Sequence, residues 1–499
     1  MPAYFLGIDV STTASKVLVI DMAGAVVASH SEPHTLATPH PLWSEQDPRE
    51  WWAASCTSLR AVLRDVAADD IAAIGLTGQM HGLTLLDANN EVVRPAILWN
   101  DQRTGAQCAA MTAQVGAQWL YEHIGSLMLP GFTAPKIAWV REHEPDAFAR
   151  TAHILLPKDY VRFRLTGAYV TDVSDGSGMA LMDVRRRAWS DALLAALDIP
   201  RALLPELCEG PEVCAYISAA GAEATGLRVG TPVVGGAGDQ PATAIGSGIL
   251  QRGQTSMTVG TSGVVFTAND QYQPEPDGRL HTFCHAVPGQ WFHMGVMLSA
   301  AGGMRWLHDA LVPGSSYDDL SALAGAVPRG ADGMLFAPYL TGERHPHPDP
   351  LARGAFVGLT LRSGMGQLVR AVMEGVAFGL RDNLELLRSL GVEPATAAVS
   401  GGASKSPVWR QILTDIAGIP LYTVNSSEGA ALGAAILAAV GAGAWPDVPS
   451  VCNAFIRQVD ISTPDPAAVA DYARLYPAYR ALYPALRASF VALAEFEES

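Results

Sequence analysis

Apolar positions fall in short blocks along the first hundred residues, and the polar positions between them are turn formers. YFLGIDV (4–10) and KVLVID (16–21) flank the hydroxyl-rich STTAS, and MAGA leads into VVASHSE. Apolar runs of this length broken by small polar residues predict a β-meander. The period then lengthens. PREWWAASCTSLRAVLRDV (48–66) predicts a helix with Trp52, Leu59, Val62 and Leu63 on its apolar face. IAAIGLTGQM (71–80) predicts a buried strand that ends in a glycine turn, and GLTLLDANNEVVRPAILWND (82–101) a hairpin turning at ANNE.

The opening pattern returns near the middle of the chain. QTSMTVGTSGVVFTA (254–268) again gives strand, glycine, hydroxyl pair, strand. The pattern implies two related domains, 1–247 and 248–499, each offering one hairpin tip. Strand and helix patterns alternate through the second half, which predicts an α/β fold class. GAALGAAILAAVGAGAW (429–445) is apolar but mostly Ala and Gly, so it predicts a buried helix with close neighbours, not a membrane span. The tail carries Tyr472, Tyr476, Tyr479 and Tyr483 at helical spacing, an amphipathic helix expected to pack back on the body and to kink at Pro477 and Pro484.

Composition narrows the function classes. A chain of 499 residues with 49% hydrophobic and 16% charged residues builds more than one core. A net charge of −16 argues against nucleic acid or an anionic membrane as partner, since both need a basic patch. The cysteines at 56, 108, 208, 214, 284 and 452 form no CxxC pair and no zinc spacing, as expected for reduced thiols. MPAYFLGIDVSTTASK lacks a basic segment before its apolar run, which Asp9 interrupts, so a cytoplasmic location is expected.

Five turns, four of them glycine-rich, carry the candidate chemistry. In GGAGDQPATAIG (235–246) a single carboxylate, Asp239, stands among glycines at the start of a predicted helix. It either caps that helix or accepts a proton from a hydroxyl undergoing phosphoryl transfer. Ser11, Thr12, Thr13 and Lys16 on one hairpin tip, and Gly260, Thr261 and Ser262 on the other, offer amides and hydroxyls of the kind that hold phosphate. In VSGGASKS (399–406), Gly401 and Gly402 leave room for a ring or a phosphate, while Ser406 is placed to cap the helix that follows. Asp9 beside the first tip is either a turn cap or a Mg²⁺ ligand. In GQMHG (78–82), Met80 and His81 offer an apolar contact and a hydrogen-bonding ring to a polyhydroxy substrate; a structural role for the histidine is the alternative.

These stretches together resemble the FGGY carbohydrate kinases of the actin/hexokinase/Hsp70 ATPase superfamily, and within them the bacterial xylulokinases. GIDVSTTASKVLVID is similar to the family's first phosphate motif and TVGTSGVVF to its second. HPLWSEQDPREWW, GLTGQMHGLTLLD, RPAILWNDQR, PGFTAPKIAWV and LLPKDYVRFRLTG resemble the xylulokinase branch, PYLTGERHPH with ARGAFVGL the signature region, and SGGASKSPVWRQILTDI the adenosine motif. The resemblance implies two ribonuclease H-like domains around a deep cleft, the first binding sugar and the second nucleotide. It implies ATP-dependent phosphorylation of D-xylulose to D-xylulose 5-phosphate, with Mg²⁺ and no protein partner beyond a homodimer. Asp239 would be the general base and Asp9 would help hold Mg²⁺. Met80, His81, Trp99, Asn100, Asp101 and Gln240 would line the sugar site. Ser11, Thr12, Thr13, Lys16, Gly260, Thr261 and Ser262 would meet phosphates, and Gly401, Gly402 and Ser406 the adenosine. One residue departs from the xylulokinase pattern: Gln240 stands where that branch carries Asn. It keeps ribulose, erythritol and glycerol open as acceptors; a catalytically silent sugar- or ATP-binding protein is the rival of another class.

Overall fold

The computed structural model describes residues 4–498. Tyr4–Val10, Ala14–Ile20 and Val26–Pro33 form the antiparallel meander that the alternation predicted. Tyr4–Val10 also pairs in parallel with Ile71–Gly78, which in turn meets Pro232–Val234. The second sheet repeats this plan. Thr255–Val259, Gly263–Asn269 and Trp291–Met297 run antiparallel, and Thr255–Val259 continues in parallel into Ala397–Ser400 and Leu421–Val424. Both sheets therefore turn one hairpin tip outward beside their first parallel pairing, and the shared order is the structural form of the sequence repeat.

The helix Pro48–Val62 starts where Asp47 caps the Arg49 N–H and Pro48 occupies its first turn. It buries Trp51, not Trp52, because Trp51, Ser55, Leu59 and Val62 share one stripe. The Trp51 indole N–H donates to Gln46 Oε1 at 2.9 Å, whereas Trp52 stays partly exposed under the Arg164 guanidinium. The stretch 82–101 is not a simple hairpin either. The turn forms, with Asn90 at φ +68° and Asp87 accepting from the Asn89 and Glu91 N–H groups. Its two arms meet at single antiparallel bridges, Leu83 with Ile97 and Leu86 with Val92, and each also takes another partner: Thr84–Leu86 pairs with His153–Leu155, and Ala96–Ile97 with Glu45–Gln46. Pro95 lacks a donor for a continuous return strand.

The Ala/Gly-rich segment is the helix Gly429–Gly441, buried through most of its length. It lies against Tyr4–Val10, Ile71–Gly78 and the helix Asp239–Gly246. A side chain on Gly7 would strike the Ala431 carbonyl, one on Gly75 the Ala434 carbonyl, and one on Gly433 the Ala242 carbonyl. Backbone meets backbone on both sides of this helix. The tail forms Pro466–Arg480, then Leu482–Glu498 after Ala481. Tyr472, Tyr476 and Tyr479 pack around Phe378 of the long helix Met365–Ser389. The chain stays helical through Pro477, and Pro484 falls in the first turn of the last helix, where its missing N–H costs nothing.

Gly75→Ala is expected to destabilise the fold by about 1–3 kcal/mol, because the added methyl overlaps a buried carbonyl on a helix that cannot retreat. Gly105→Ala, at an exposed helix start with open space around it, is the control and should leave the urea midpoint unchanged or slightly raised. Equal midpoints for Gly75→Ala and wild type would show that the helix is free to shift.

Candidate active site

The first hairpin tip is shaped by its own hydroxyl. Ser11 Oγ donates to the Ala14 carbonyl at 2.8 Å, alongside the Ser11 N–H at 3.0 Å. Thr12 is held from three directions. Its carbonyl accepts from Gln46 Nε2 at 2.7 Å, and its hydroxyl accepts from the Trp99 indole at 3.0 Å and donates to Gln79 Oε1 at 3.4 Å. Thr13 is exposed. Lys16 forms an ion pair with Glu428, the residue just before the Ala/Gly-rich helix.

Asp9 lies between Lys16 and Thr77 in the ladder. Its Oδ1 is buried without a hydrogen-bond partner. Burial lifts its pKa to about 6, against the pull of Lys16.

Asp239 is the first residue of the helix Asp239–Gly246. A helix N-terminus favours a carboxylate, and hydrogen bonds from Gln240 and the local backbone act the same way. Burial is the larger effect and the charge of Asp9 adds to it, so the Asp239 pKa rises to about 7. Protein surrounds this carboxylate although part of its surface stays open. A group poised near neutrality beside a second carboxylate is suited to taking a proton from a hydroxyl.

Met80 and His81 follow the end of Ile71–Gly78. Gly238 leaves room for Met80: a Cβ there would sit 2.8 Å from the Met80 sulfur. His81 takes a left-handed backbone, φ +69°, and its ring sits tilted at 4.9 Å from that of Phe132. Its carbonyl accepts from Lys136 Nζ at 2.9 Å and from Thr133 Oγ1 at 3.0 Å. Its Nδ1 lies 2.7 Å from the Gly178 carbonyl, which can only accept, so the proton sits on Nδ1. Burial holds the ring neutral, with a pKa near 3. Nε2 therefore carries the ring's lone pair and can only accept a hydrogen bond.

The other predicted sugar residues divide. Trp99 reaches the site through Thr12. Gln240 is part-buried next to Asp239. Asn100 is exposed, in a separate surface pocket with Thr38, Pro39 and Gln102. Asp101 is fully buried, and its carboxylate accepts from Arg103 Nε and Nη2 and from the Ser44 N–H at 2.7 Å. Arg103 in turn stacks 3.6 Å over Trp43. Asp101 thus anchors the loop that carries Trp99.

On the second sheet, the Thr261 carbonyl accepts from the Ala300 N–H at 2.8 Å and the Gly260 carbonyl from the Ala301 N–H at 2.7 Å. Thr261 itself is exposed and Ser262 half-buried. Gly401, at φ +87°, packs on this tip: a Cβ there would sit 2.5 Å from the Val259 carbonyl. Gly402 faces open space. Ser406 caps the helix Pro407–Ala417 through the Trp409 N–H, and its hydroxyl meets Ser321 Oγ at 2.6 Å. The structure thus gathers Asp9, Thr12, Met80, His81, Trp99 and Asp239 on the first sheet, and Gly260, Thr261 and Gly401 on the second. The ion pair from Lys16 to Glu428 links the first tip to the second half of the chain.

Comparison with known proteins decides the family. The model of the N-terminal domain of the FGGY family of carbohydrate kinases matches residues 4–246, and that of the C-terminal domain matches residues 255–442. The chain belongs to the FGGY family of carbohydrate kinases. It is 43% identical over 440 residues to a xylulose kinase of Escherichia coli (strain K12), spanning 88% of this chain and 90% of that protein. It is 36% identical over 498 residues to a xylulose kinase of Bacillus subtilis (strain 168), spanning 99% of this chain and 100% of that one. The crystal structure of a xylulose kinase from Rhodospirillum rubrum superposes with a TM-score of 0.91 at 32% identity, covering 98% and 99% of the two chains.

Sequence reasoning missed a buried ionic cluster packed against Gly78, two residues before Met80. Lys158 Nζ lies 2.7 Å from Asp159, 3.0 Å from Asp172 and 2.9 Å from Asp175, and Arg162 stands 3.5 Å from Asp159. All five side chains are fully buried. A signal was present: three charges, Lys158, Asp159 and Arg162, share one helix with Tyr160, Val161 and Leu165, which its apolar face buries.

Two pH dependences follow from Asp239. The sugar kcat/KM should fall as pH drops below about 7, where this base takes up its proton. The raised pKa also costs stability: an unfolded carboxylate ionises above about 3.8, whereas the folded one holds its proton until about 7. The melting temperature of Asp239→Asn should therefore pull ahead of wild type between those two pH values and keep its lead above them. A gap that stays constant from pH 4 to 8 would show that Asp239 titrates as an ordinary carboxylate.

Proposed function

We propose that this kinase transfers the γ-phosphoryl group of ATP to the terminal hydroxyl of D-xylulose, giving D-xylulose 5-phosphate. The observation that carries the reading is Asp239, held near neutrality at a helix start beside Asp9 and Met80. The relatives that match nearly the whole chain are xylulose kinases, which supports this acceptor.

His81 Nε2 accepts a hydrogen bond from a sugar hydroxyl, and Met80 gives the carbon chain an apolar wall. The terminal hydroxyl lies against Asp239, which takes its proton as the oxygen attacks phosphorus. The ADP oxygen leaves on the opposite side, so the protein's work is positioning and charge compensation. The first half of the chain, 1–247, binds sugar and the second, 248–499, nucleotide. The tip amides of Thr12, Thr13 and Gly260 to Ser262 meet phosphate oxygens, and Gly401 and Gly402 admit the adenosine. Mg²⁺ would neutralise phosphate charge. The buried, unpartnered Oδ1 of Asp9 fits it as a ligand. Among the described residues no group of three or more His, Cys, Asp or Glu could cage a metal, so the remaining ligands would be waters and phosphate oxygens.

Gln240 favours a second reading, in which another ketopentose or a polyol is the better acceptor. Its amide offers the same hydrogen bonds as asparagine from one methylene further out. Coupled ADP release with D-xylulose, L-xylulose, D-ribulose, L-ribulose, glycerol and erythritol separates the two readings. D-xylulose should show the highest kcat/KM; a dominant rate with ribulose or a polyol would replace it as substrate, and no rate with any of them would favour a silent binder. Asp239→Ala should cut turnover by roughly 10²–10⁴ while ATP binding stays near normal. Turnover close to wild type would remove Asp239 as the base.

A further inference from the structure

We propose that Ser174 is a positioning residue for Asp239, coupling the base to the buried ionic cluster around Lys158. The inference rests on the reading of Asp239 as the base and adds what holds it in place. The Ser174 hydroxyl donates to Asp172 Oδ2 at 2.5 Å and accepts from the Gly238 N–H at 3.2 Å. Gly238 directly precedes Asp239 and caps its helix. On the far side, the other Asp172 oxygen lies 3.0 Å from Lys158 Nζ. The connection runs from ammonium to carboxylate to hydroxyl to backbone amide, with every side chain fully buried.

The same cluster pins the rest of the sugar site. The Arg162 guanidinium donates to the Gly235 carbonyl at 2.5 Å, in the turn that leads to Asp239. A Cβ on Gly78, one residue before Gln79, would sit 3.2 Å from Lys158 Cβ. The short helix Val173–Ser177, capped by Asp172, delivers Gly178, whose carbonyl fixes the His81 ring. Burial and the charges of Asp159 and Asp172 push the Asp175 pKa well above the usual carboxylate range, against the pull of Lys158. Lys158 stands against all three carboxylates and Arg162 against Asp159. A fully packed, mutually paired cluster is a rigid foundation, because moving any one charge leaves another buried and unpaired.

Ser174 is the link that can be cut without disturbing the charges. Ser174→Ala removes both hydrogen bonds. Ser174→Cys keeps the volume and weakens both, and Ser174→Thr restores the hydroxyl. Rates are taken per folded molecule, with the folded fraction from circular dichroism. Ala and Cys are expected to lower kcat about tenfold, since small displacements of a reacting group are costly. KM for sugar and for ATP should stay within about twofold of wild type, and Thr should recover most of the loss. Wild-type kcat in both Ala and Cys overturns the proposal, as does an equal loss in Thr, which would make packing the cause. Asp239→Asn, measured in parallel, separates the two claims. If it keeps wild-type turnover, the base assignment falls. If it is inactive while Ser174→Ala turns over normally, only the positioning role falls.

Discussion

The placement of Asp9 and Asp239 depends on a helix that meets its neighbours through bare backbone. Gly429–Gly441 lies between the sheet that carries Asp9 and the helix that Asp239 opens, touching both through backbone atoms. Gly7 and Gly75 let it onto the strands, and its own Gly433 lets it under Ala242. Side chains can exchange rotamers to absorb a change in spacing, whereas carbonyl against Cα cannot. Ala237–Gly238, just before Asp239, pairs in parallel with Thr77–Gly78, the neighbours of Asp9 and Val10, and the close-packed helix holds that arrangement. That helix belongs to the second half of the chain, as does Glu428, which holds Lys16. The two halves are joined beside Asp9 and Asp239, not only at their linker.

Electrostatics complete what packing begins. Asp9 and Asp239 each lose water, and each pKa rises, Asp239 further because Asp9 stands beside it. Left alone, such a pair would relax by moving apart or by recruiting a cation. The nearest lysine on the ladder, Lys16, is already engaged by Glu428, so neither carboxylate is fully compensated. Stability is given up here in favour of basicity, and the surrounding network makes the strained arrangement hold. Beneath it, the groups of the Lys158 cluster are paired with one another, which makes that region rigid.

How legible this was in the sequence varied with the range of the interaction. The two meanders and their tips were readable because neighbouring residues make them. Asp239 stood out since a carboxylate among glycines has few uses. The buried fate of 429–441 followed from its composition, but its neighbours did not, because a helix of alanine and glycine carries no mark of what it touches. Trp51 and Trp52 are adjacent and chemically identical, and the helical phase that buries one depends on the Asp47 cap. The arms of 82–101 are partners at Leu83–Ile97 and Leu86–Val92, but the further strands each joins, His153–Leu155 and Glu45–Gln46, lie far along the chain and leave no local mark. Asp101 read as a sugar residue, yet its oxygens are filled by Arg103 and Ser44, contacts that only the fold creates. The Lys158 cluster hid for the same reason: its members lie on three segments and only burial makes them significant.

The repeat shows how one plan came to serve two chemistries. Asp9 stands two residues before the first tip and faces Thr77 on the parallel strand; the matching position in the second sheet is Thr258, which faces Ser400. There the two hydroxyls bond to each other at 3.1 Å, and nothing is left over. In the first sheet the Thr77 hydroxyl and Asp9 Oδ1 are both buried without partners. The same ladder position is therefore closed and neutral in one half, open and ionisable in the other. A site that must hold phosphate from two sides needs amides on both, but a proton acceptor and a metal ligand on only one. Two carboxylate-bearing tips would repel the anion they share. On the proposed function, keeping the second tip neutral would leave its amides and the Gly401 turn to bind phosphate and adenosine, and would confine the unpaired charge to the proposed sugar-binding half.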